Sequence, residues 1–526
     1  MSSLGLQEMR EDLMELANVL ATSHPDPYHV GGPIAFHRRV AELECSLPQE
    51  ASREAFLRLL RPLVASLHDG HTTIRLADEV HENSNPRMWL DWDVVGDCLY
   101  LSQVYRPEHV ALVGARLLGV SEVPFRELAA RMAELEGYDN DVDLLRRLSK
   151  ALAHPSLSLE LLGLDRAPEN STLLLQRPDG TEALLVVPWS VGAPGDPIFV
   201  PSNSQCPPLG PAQISWGFLD EHKRTAILRV GELMHYREAF EVWRETGYTH
   251  PLERRYEEEF PGGRAPTSED LDRMVAQVPS ATELLQTLFT EMRSAHTKWL
   301  LVDLRSAPGG NSAFAAILGY FLFGLEALIR DQEGYQIRRY SPLYLENYGD
   351  LPDGAGLGNG GYDFREESEW YQRRSESWTS QLRDSALEDF MESLKFVPTF
   401  ASAVAEQQWS GAWTPQVVVV TSAWTYSAGF DVAAMLIRHG AVHVGVPSSQ
   451  AGNCFIDTLR FQLTHSRLAG TISFKKSLLY PEDPESGALL RPRYELTYQH
   501  LCTYGFDPHA SLSLALELID QGDLSQ

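Results

Sequence analysis

Four short stretches hold residue types that could act together on a carbonyl group. In the first, residues 421–431, an apolar run (416–421) gives way to Tyr426-Ser427-Ala428-Gly429, and then to a helical pattern on Val432, Met435, Leu436 and Ile437 that closes at Gly440. Ser427 therefore stands where a buried strand turns into a helix. The start of a helix offers unpaired N–H groups and the positive end of its dipole. A hydroxyl there could attack a carbonyl, with the N–H of Ser427 or Ala428 facing the oxyanion. Taken alone, the serine reads more simply as a helix N-cap.

The second stretch is Asp-Leu-Arg-Ser-Ala-Pro-Gly-Gly-Asn-Ser (303–312), which also follows an apolar run. Gly309 and Gly310 would let backbone N–H groups approach a ligand as an oxyanion hole, or they form a plain turn. Neither Gly-Lys-Ser nor GxGxxG follows, so a phosphate loop is excluded. The third is His71 in Asp-Gly-His-Thr (69–72), a residue type that supplies a base near neutral pH. Asp69 could orient it or simply form the turn. With no ligating side chain four residues on, no metal site is expected, and no cofactor. The fourth is Glu485, which by itself reads as a solvated loop charge.

The elements that would carry these groups are legible in part. Leu6, Met9, Leu13, Leu16 and Leu20 repeat at helical spacing, and further helices are expected near 36–43 and 55–67. Residues 85–200 read as mainly β with helical inserts, and the Pro-rich stretch 188–211 as a linker. Beyond 225 the pattern becomes α/β, with 299–304 and 416–421 as buried parallel strands. Between them, 331–412 is polar and irregular, with a Gly-rich loop (Gly354 to Gly361) and an acidic helical stretch around 363–395, and is expected to be an insertion that covers the site.

At 526 residues the chain exceeds one core, and 43% hydrophobic and 22% charged residues are ordinary for a globular protein. The net charge of -28 argues against nucleic-acid and anionic-membrane partners. No segment approaches a membrane span, and the first twenty residues read as an amphipathic helix rather than a signal peptide. Five scattered cysteines, Cys45, Cys98, Cys206, Cys454 and Cys502, suggest reduced thiols and a cytoplasmic location.

Taken in order, these pieces resemble the tail-specific, or C-terminal-processing, serine peptidase family, which includes the tricorn core protease. His-Pro-Asp-Pro-Tyr (24–28) with Leu-His-Asp-Gly-His-Thr (67–72) looks like the family's N-terminal helical domain and "DGHT" turn. Residues 303–310 are similar to its "DLRxNxGG" signature, and Tyr426-Ser427-Ala428-Gly429 falls at its nucleophile. Val-Gly-Val-Pro-Ser-Ser-Gln-Ala-Gly (444–452), Gly-Ala-Leu-Leu-Arg-Pro (487–492) and Tyr-Gly-Phe-Asp-Pro (504–508) resemble its later motifs.

The resemblance implies an α/β chain with a crotonase-like (ClpP/crotonase) catalytic core over 212–526, carrying the insertion 331–412. It also implies a helical domain over 1–82 and a β-rich, degenerate PDZ-like domain over 83–205. Ser427 would be the nucleophile, and Gly309, Gly310 and Ala428 the oxyanion donors. Many members use a Ser–Lys dyad, but no lysine lies between Ser427 and Lys475. The tricorn branch uses a His and a Glu instead, and His71 and Glu485 fit those places, Glu485 by spacing alone, so that Glu482 or Asp483 could replace it. Gly70 stands where tricorn has a Ser, and Phe430 where the family has a Glu. The expected activity is peptide-bond hydrolysis through an acyl-enzyme. Two alternatives stay open: ester or lactam hydrolysis or cyclisation of a small metabolite, and a peptide-binding pseudoprotease. A homo-oligomer is also left open.

Overall fold

The computed structural model describes residues 3–77, 85–202, 206–247, 249–330, 334–375, 377–406 and 414–524. The expected boundaries at 82/83, 205, 331 and 412 lie outside the described residues.

Helices α1 (Leu6–Ser23), α2 (Gly32–Ser46) and α3 (Arg53–Ala65) open the chain. The expected stripe Met9, Leu13, Leu16 and Leu20 is fully buried in α1. Ser52 caps α3 by accepting the Ala55 N–H. Strand β1 (Thr73–Leu76) follows the Asp-Gly-His-Thr turn. The helices share their apolar core with Leu459, Phe461, Leu468 and Ile472, near the far end of the chain.

Strands β2 (Leu90–Val95), β3 (Cys98–Val104), β4 (Arg116–Val120), β5 (Asn170–Gln176) and β6 (Glu182–Pro188) form an antiparallel sheet in sequence order. Strand β6 alternates buried and exposed residues, as a half-covered sheet requires. Helices α4 (Phe125–Leu135) and α5 (Asp141–Ala153) cross over between β4 and β5.

Strands β7 (Ile214–Phe218), β8 (Thr225–Val230) and β9 (Trp299–Asp303) begin a six-stranded sheet. The chain leaves it for β10 (Tyr335–Arg339) and β11 (Tyr362–Asp363), and returns in β12 (Gln416–Thr421) and β13 (Val442–Gly445). A long hairpin, β14 (Asn453–Gln462) and β15 (Leu468–Leu478), precedes the last strand, β16 (Tyr494–Glu495). The sheet order is β7-β8-β9-β12-β13-β16, with every pair parallel except the first. All five residues of β9 are buried. One face of the sheet lies under α6 (Ala281–Ala295), α7 (Ala313–Phe323) and α8 (Ala428–Arg438), and the other under α9 (Ala510–Gln521). This two-sided cover is why these strands read as unbroken apolar runs.

The stretch 331–412 holds the helices expected around 363–395 and, besides them, a strand that joins a sheet. Strand β10 joins β15 antiparallel, with Ile337 opposite Lys476, in a second sheet ordered β11-β10-β15-β14. Helices occupy Arg365–Ser375 and Ser380–Ser393. Strand β1 adds to β15 as well, with Thr73 opposite Thr471. Among the described residues no helix is long and apolar enough to cross a membrane.

Candidate active site

Strand β12 ends at Thr421 and α8 begins at Ala428, so six residues must reverse the chain. Ser427 takes the strain, with φ 51° and ψ -127°. Positive φ in a residue with a side chain costs on the order of 1–3 kcal/mol and persists only where neighbours enforce it. Here they do. The Thr425 hydroxyl donates to Leu304 O at 2.8 Å, Tyr426 N–H to Ala307 O at 3.0 Å, and Ser427 N–H to Oε1 of buried Gln450 at 2.7 Å. The Ser427 side chain makes no capping hydrogen bond. The simple N-cap reading therefore fails, and the geometry is that of a nucleophile elbow, which lifts a serine hydroxyl clear of the turn.

Gly309 and Gly310 lie beside it, at φ 130° and 134°. A Cβ on Gly309 would fall 2.6 Å from Ser427 Cβ, and one on Gly310 2.2 Å from Leu233 O. Both glycines are thus needed by packing as well as by backbone angle. Leu233 N–H donates to Gly309 O at 2.8 Å, and Leu233 O accepts Asn311 N–H at 2.8 Å. Among the described residues the N–H groups of Gly309, Gly310 and Ala428 donate to no acceptor. The Ser427 N–H, the other donor expected for an oxyanion, is taken by Gln450.

His71 reaches this region because β1 pairs with β15, and the Thr471 hydroxyl holds His71 O at 2.8 Å. The imidazole stacks on the Tyr426 ring, with centroids 5.0 Å apart. The Tyr426 hydroxyl lies 3.3 Å from His71 Nδ1 and 3.0 Å from Asp139 Oδ2. Asp139 also accepts the Gly70 N–H at 2.9 Å, and Arg147 of α5 donates to Gly70 O at 2.6 Å. A Cβ on Gly70 would meet the Tyr426 hydroxyl at 2.3 Å, so glycine there makes room for the tyrosine. Below the histidine, Asp69 accepts His71 N–H at 2.8 Å and the Thr72 hydroxyl, and stands 3.3 Å from His24 Nε2. The two N-terminal motifs thus meet in one buried network.

The two aspartates titrate in opposite directions. Burial works to raise Asp69, but hydrogen bonding and charge from His24, then the charge of His71 and the Thr72 hydroxyl, hold it well below the usual carboxylate range. Asp139 is pushed up to about 6, by burial first and by the neighbouring Asp143 next. Ligand atoms of Asp69, His71 and Asp139 lie within 4.8 Å of one another, near enough to share a cation. Their carboxylate oxygens are already occupied by N–H and O–H donors, which accounts for the cluster as a hydrogen-bond network.

Glu485 does not join this network. It is exposed in a one-turn helix, Pro484–Ala488, and its carboxylate has no partner among the described residues. Glu482 pairs with Arg374, and Asp483 accepts from Ser486. The carboxylates gathered at His71 are Asp69, considered from the sequence, and Asp139, which was not. Asp139 precedes Asn140, the cap of α5, and carries no local sign of a catalytic role. Tyr426 and Gln450 were likewise missed, although Tyr426 adjoins the nucleophile. Both downstream lysines are in ion pairs, Lys475 with Asp457 at 2.5 Å and Lys476 with Asp26 at 2.9 Å.

Residues 270–472 match the model of peptidase family S41. The chain carries a peptidase family S41 domain. The matched region holds Gly309, Gly310 and Ser427, while His71 lies ahead of it. Mature CPAF has a similar fold, at 14% identity and a TM-score of 0.56 over 96% of both chains. Mature CPAF complexed with lactacystin gives 14% and 0.56 over 98% of this chain and 99% of that one. The photosystem II D1 C-terminal processing protease, at 10% identity over 94% of both chains, has a TM-score of 0.41. No curated protein matches the chain in sequence.

Proposed function

We propose that this S41 chain is a serine peptidase of the tail-specific type, cleaving peptide bonds through an acyl-enzyme on Ser427. The observation that carries the reading is the strained Ser427 elbow facing three undirected N–H donors, those of Gly309, Gly310 and Ala428. A serine hydroxyl attacks only when a base takes its proton. His71 is that base. The Tyr426 hydroxyl has a single proton. Given to Asp139, it leaves the tyrosine oxygen to accept from His71 Nδ1–H, which makes Nε2 the basic nitrogen. Nε2 then takes the Ser427 proton as Oγ bonds to the carbonyl carbon, and passes it to the leaving amine. Water repeats the sequence on the ester, with the oxyanion held by the N–H groups each time.

In this reading Asp139 orients the base through Tyr426. Glu485 would take that role only after the 484–488 turn moved inward. We assign the parallel sheet with its elbow to a crotonase-like core, and β2–β6 with α4 and α5 to a degenerate PDZ-like unit. An intracellular, reducing location fits the five free cysteines.

The test is labelling with a fluorophosphonate probe, read by intact mass. Wild type should gain one adduct, and Ser427→Ala none. His71→Ala should label far more slowly while keeping its fold. Equal labelling of wild type and Ser427→Ala would remove Ser427 from the role, and an unreactive wild type would favour a peptide-binding pseudoprotease.

A further inference from the structure

The cleft beside Ser427 has two lobes of unlike chemistry. The first, about 760 Å³, holds Ser427, Gln450 and the carboxylates Asp431 and Glu369. The second is about 790 Å³. They share Gly310, Ser312, Ala316, Phe390 and Asp457, so the second opens directly beside the oxyanion glycines. Among the described residues, eight aromatic side chains line the second lobe, against two in the first. Resting on the peptidase reading, we propose that the second lobe binds a bulky aromatic or long aliphatic side chain of the substrate, on one side of the scissile bond.

Aromatic residues near a sheet are usually core, and Tyr340, Tyr344, Phe400 and Phe474 are buried here. They form the wall. Tyr344 packs against Tyr340 at 4.8 Å, Phe474 at 5.2 Å and Tyr348 at 4.7 Å, so the rings are set in place before a ligand arrives. Tyr348 remains 42% exposed at the opening. An aromatic-lined chamber of this size, open beside Gly310, fits the form of a side-chain subsite.

The divide between the lobes is itself built. Strand β14 keeps its register past Asp457, with Ile456 opposite Lys475 and Thr458 opposite Ser473, but Asp457 itself sits at φ 50°. Positive φ in a non-glycine residue is a strained state that concentrates at functional clefts. Here it sets the Asp457–Lys475 pair between the lobes, and a charged rim beside an aromatic-lined chamber admits the side chain while leaving the peptide backbone in the first lobe.

Cleavage of a peptide library, with Ser427→Ala as the blank, should show Phe, Tyr, Trp, Leu or Met enriched at one position flanking the cut. Ser393→Trp, filling the lobe from an exposed position, and Tyr348→Glu should each lower kcat/KM for Phe-containing peptides about tenfold or more. Peptides with Ala at that position should be cleaved as before. In parallel, Ser427→Ala should bind an Ala-based heptapeptide carrying one Phe more tightly than its all-Ala counterpart, by calorimetry, and Ser393→Trp should abolish the difference. Cleavage without this preference, or a preference untouched by both variants, overturns the subsite. Selective binding without cleavage retains the subsite and rejects the peptidase reading. Absence of both rejects the subsite as well.

Discussion

Ser427 keeps its hydroxyl on a backbone that glycine would adopt without strain. Ser427→Gly should therefore abolish activity and yet unfold at a higher temperature than Ser427→Ala, which retains the strain; equal melting points would show that the elbow stores none. In the proposed mechanism Tyr426 and Asp139 act on His71 from behind. Tyr426→Phe keeps the stacked ring and loses the hydroxyl, so kcat should fall at least tenfold with KM nearly unchanged. Asp139 connects the relay to pH. Its carboxyl, facing Asp143, Asp69 and His71 with Arg147 beyond, is pushed up to about 6. The folded state thus holds this proton more tightly than the unfolded chain. The stability it contributes is fully present at low pH, and is lost as pH rises from about 4 through about 6. Activity should run the other way, rising through about pH 6 as Asp139 becomes the acceptor that Tyr426 needs. Asp139→Asn should remove both slopes, which pH-dependent melting and kcat profiles would measure.

At the scale of elements, α5 is the part that joins the β-rich unit to the turn that carries His71. Its Arg147 reaches Gly70 O while pairing with buried Asp143 at 2.9 Å and Glu136 at 3.0 Å. The pairing with Arg147 and Arg146 overcomes burial and holds Asp143 low. Removing one partner of a buried pair strands the other charge. Arg147→Ala should therefore destabilise the protein by roughly 3–5 kcal/mol, measured by denaturant unfolding, and lower kcat in whatever remains folded. Full stability in that variant would mean Arg146 alone satisfies Asp143. The stretch 331–412 also changes character at this scale. Its strand β10 is hydrogen-bonded into the sheet with β15, so Tyr335–Arg339 is a structural member, and its helices add Trp370 and Phe390 to the cleft wall.

For the whole molecule, the first 77 residues are not a separable appendage. Their helices cover Leu459, Phe461, Leu468 and Ile472, and β1 completes the edge of the sheet that carries them. A chain starting at residue 85 should be insoluble or markedly less stable, and inactive, by soluble yield and thermal unfolding; a stable truncated protein would show that the shared core is dispensable. Local pattern was enough to place the α1 stripe, the two apolar strands, the Ser427 turn and the glycine pair, because periodicity and turn chemistry are written within a dozen residues. The family resemblance set Glu485 beside His71 by spacing alone, whereas in the folded chain Glu485 is exposed and Asp139 lies near His71. Local pattern placed the helices near 363–395 but not the strand β10 that ties 331–412 into the second sheet. Only tertiary structure decided these points. Strand β1 and β15 pair across nearly four hundred residues, and that pairing carries His71 to Tyr426, where α5 supplies Asp139 and a buried loop supplies Gln450. Contacts between distant segments depend on which surfaces pack together, and a single polar residue in a loop carries no periodic mark of the partner it will meet.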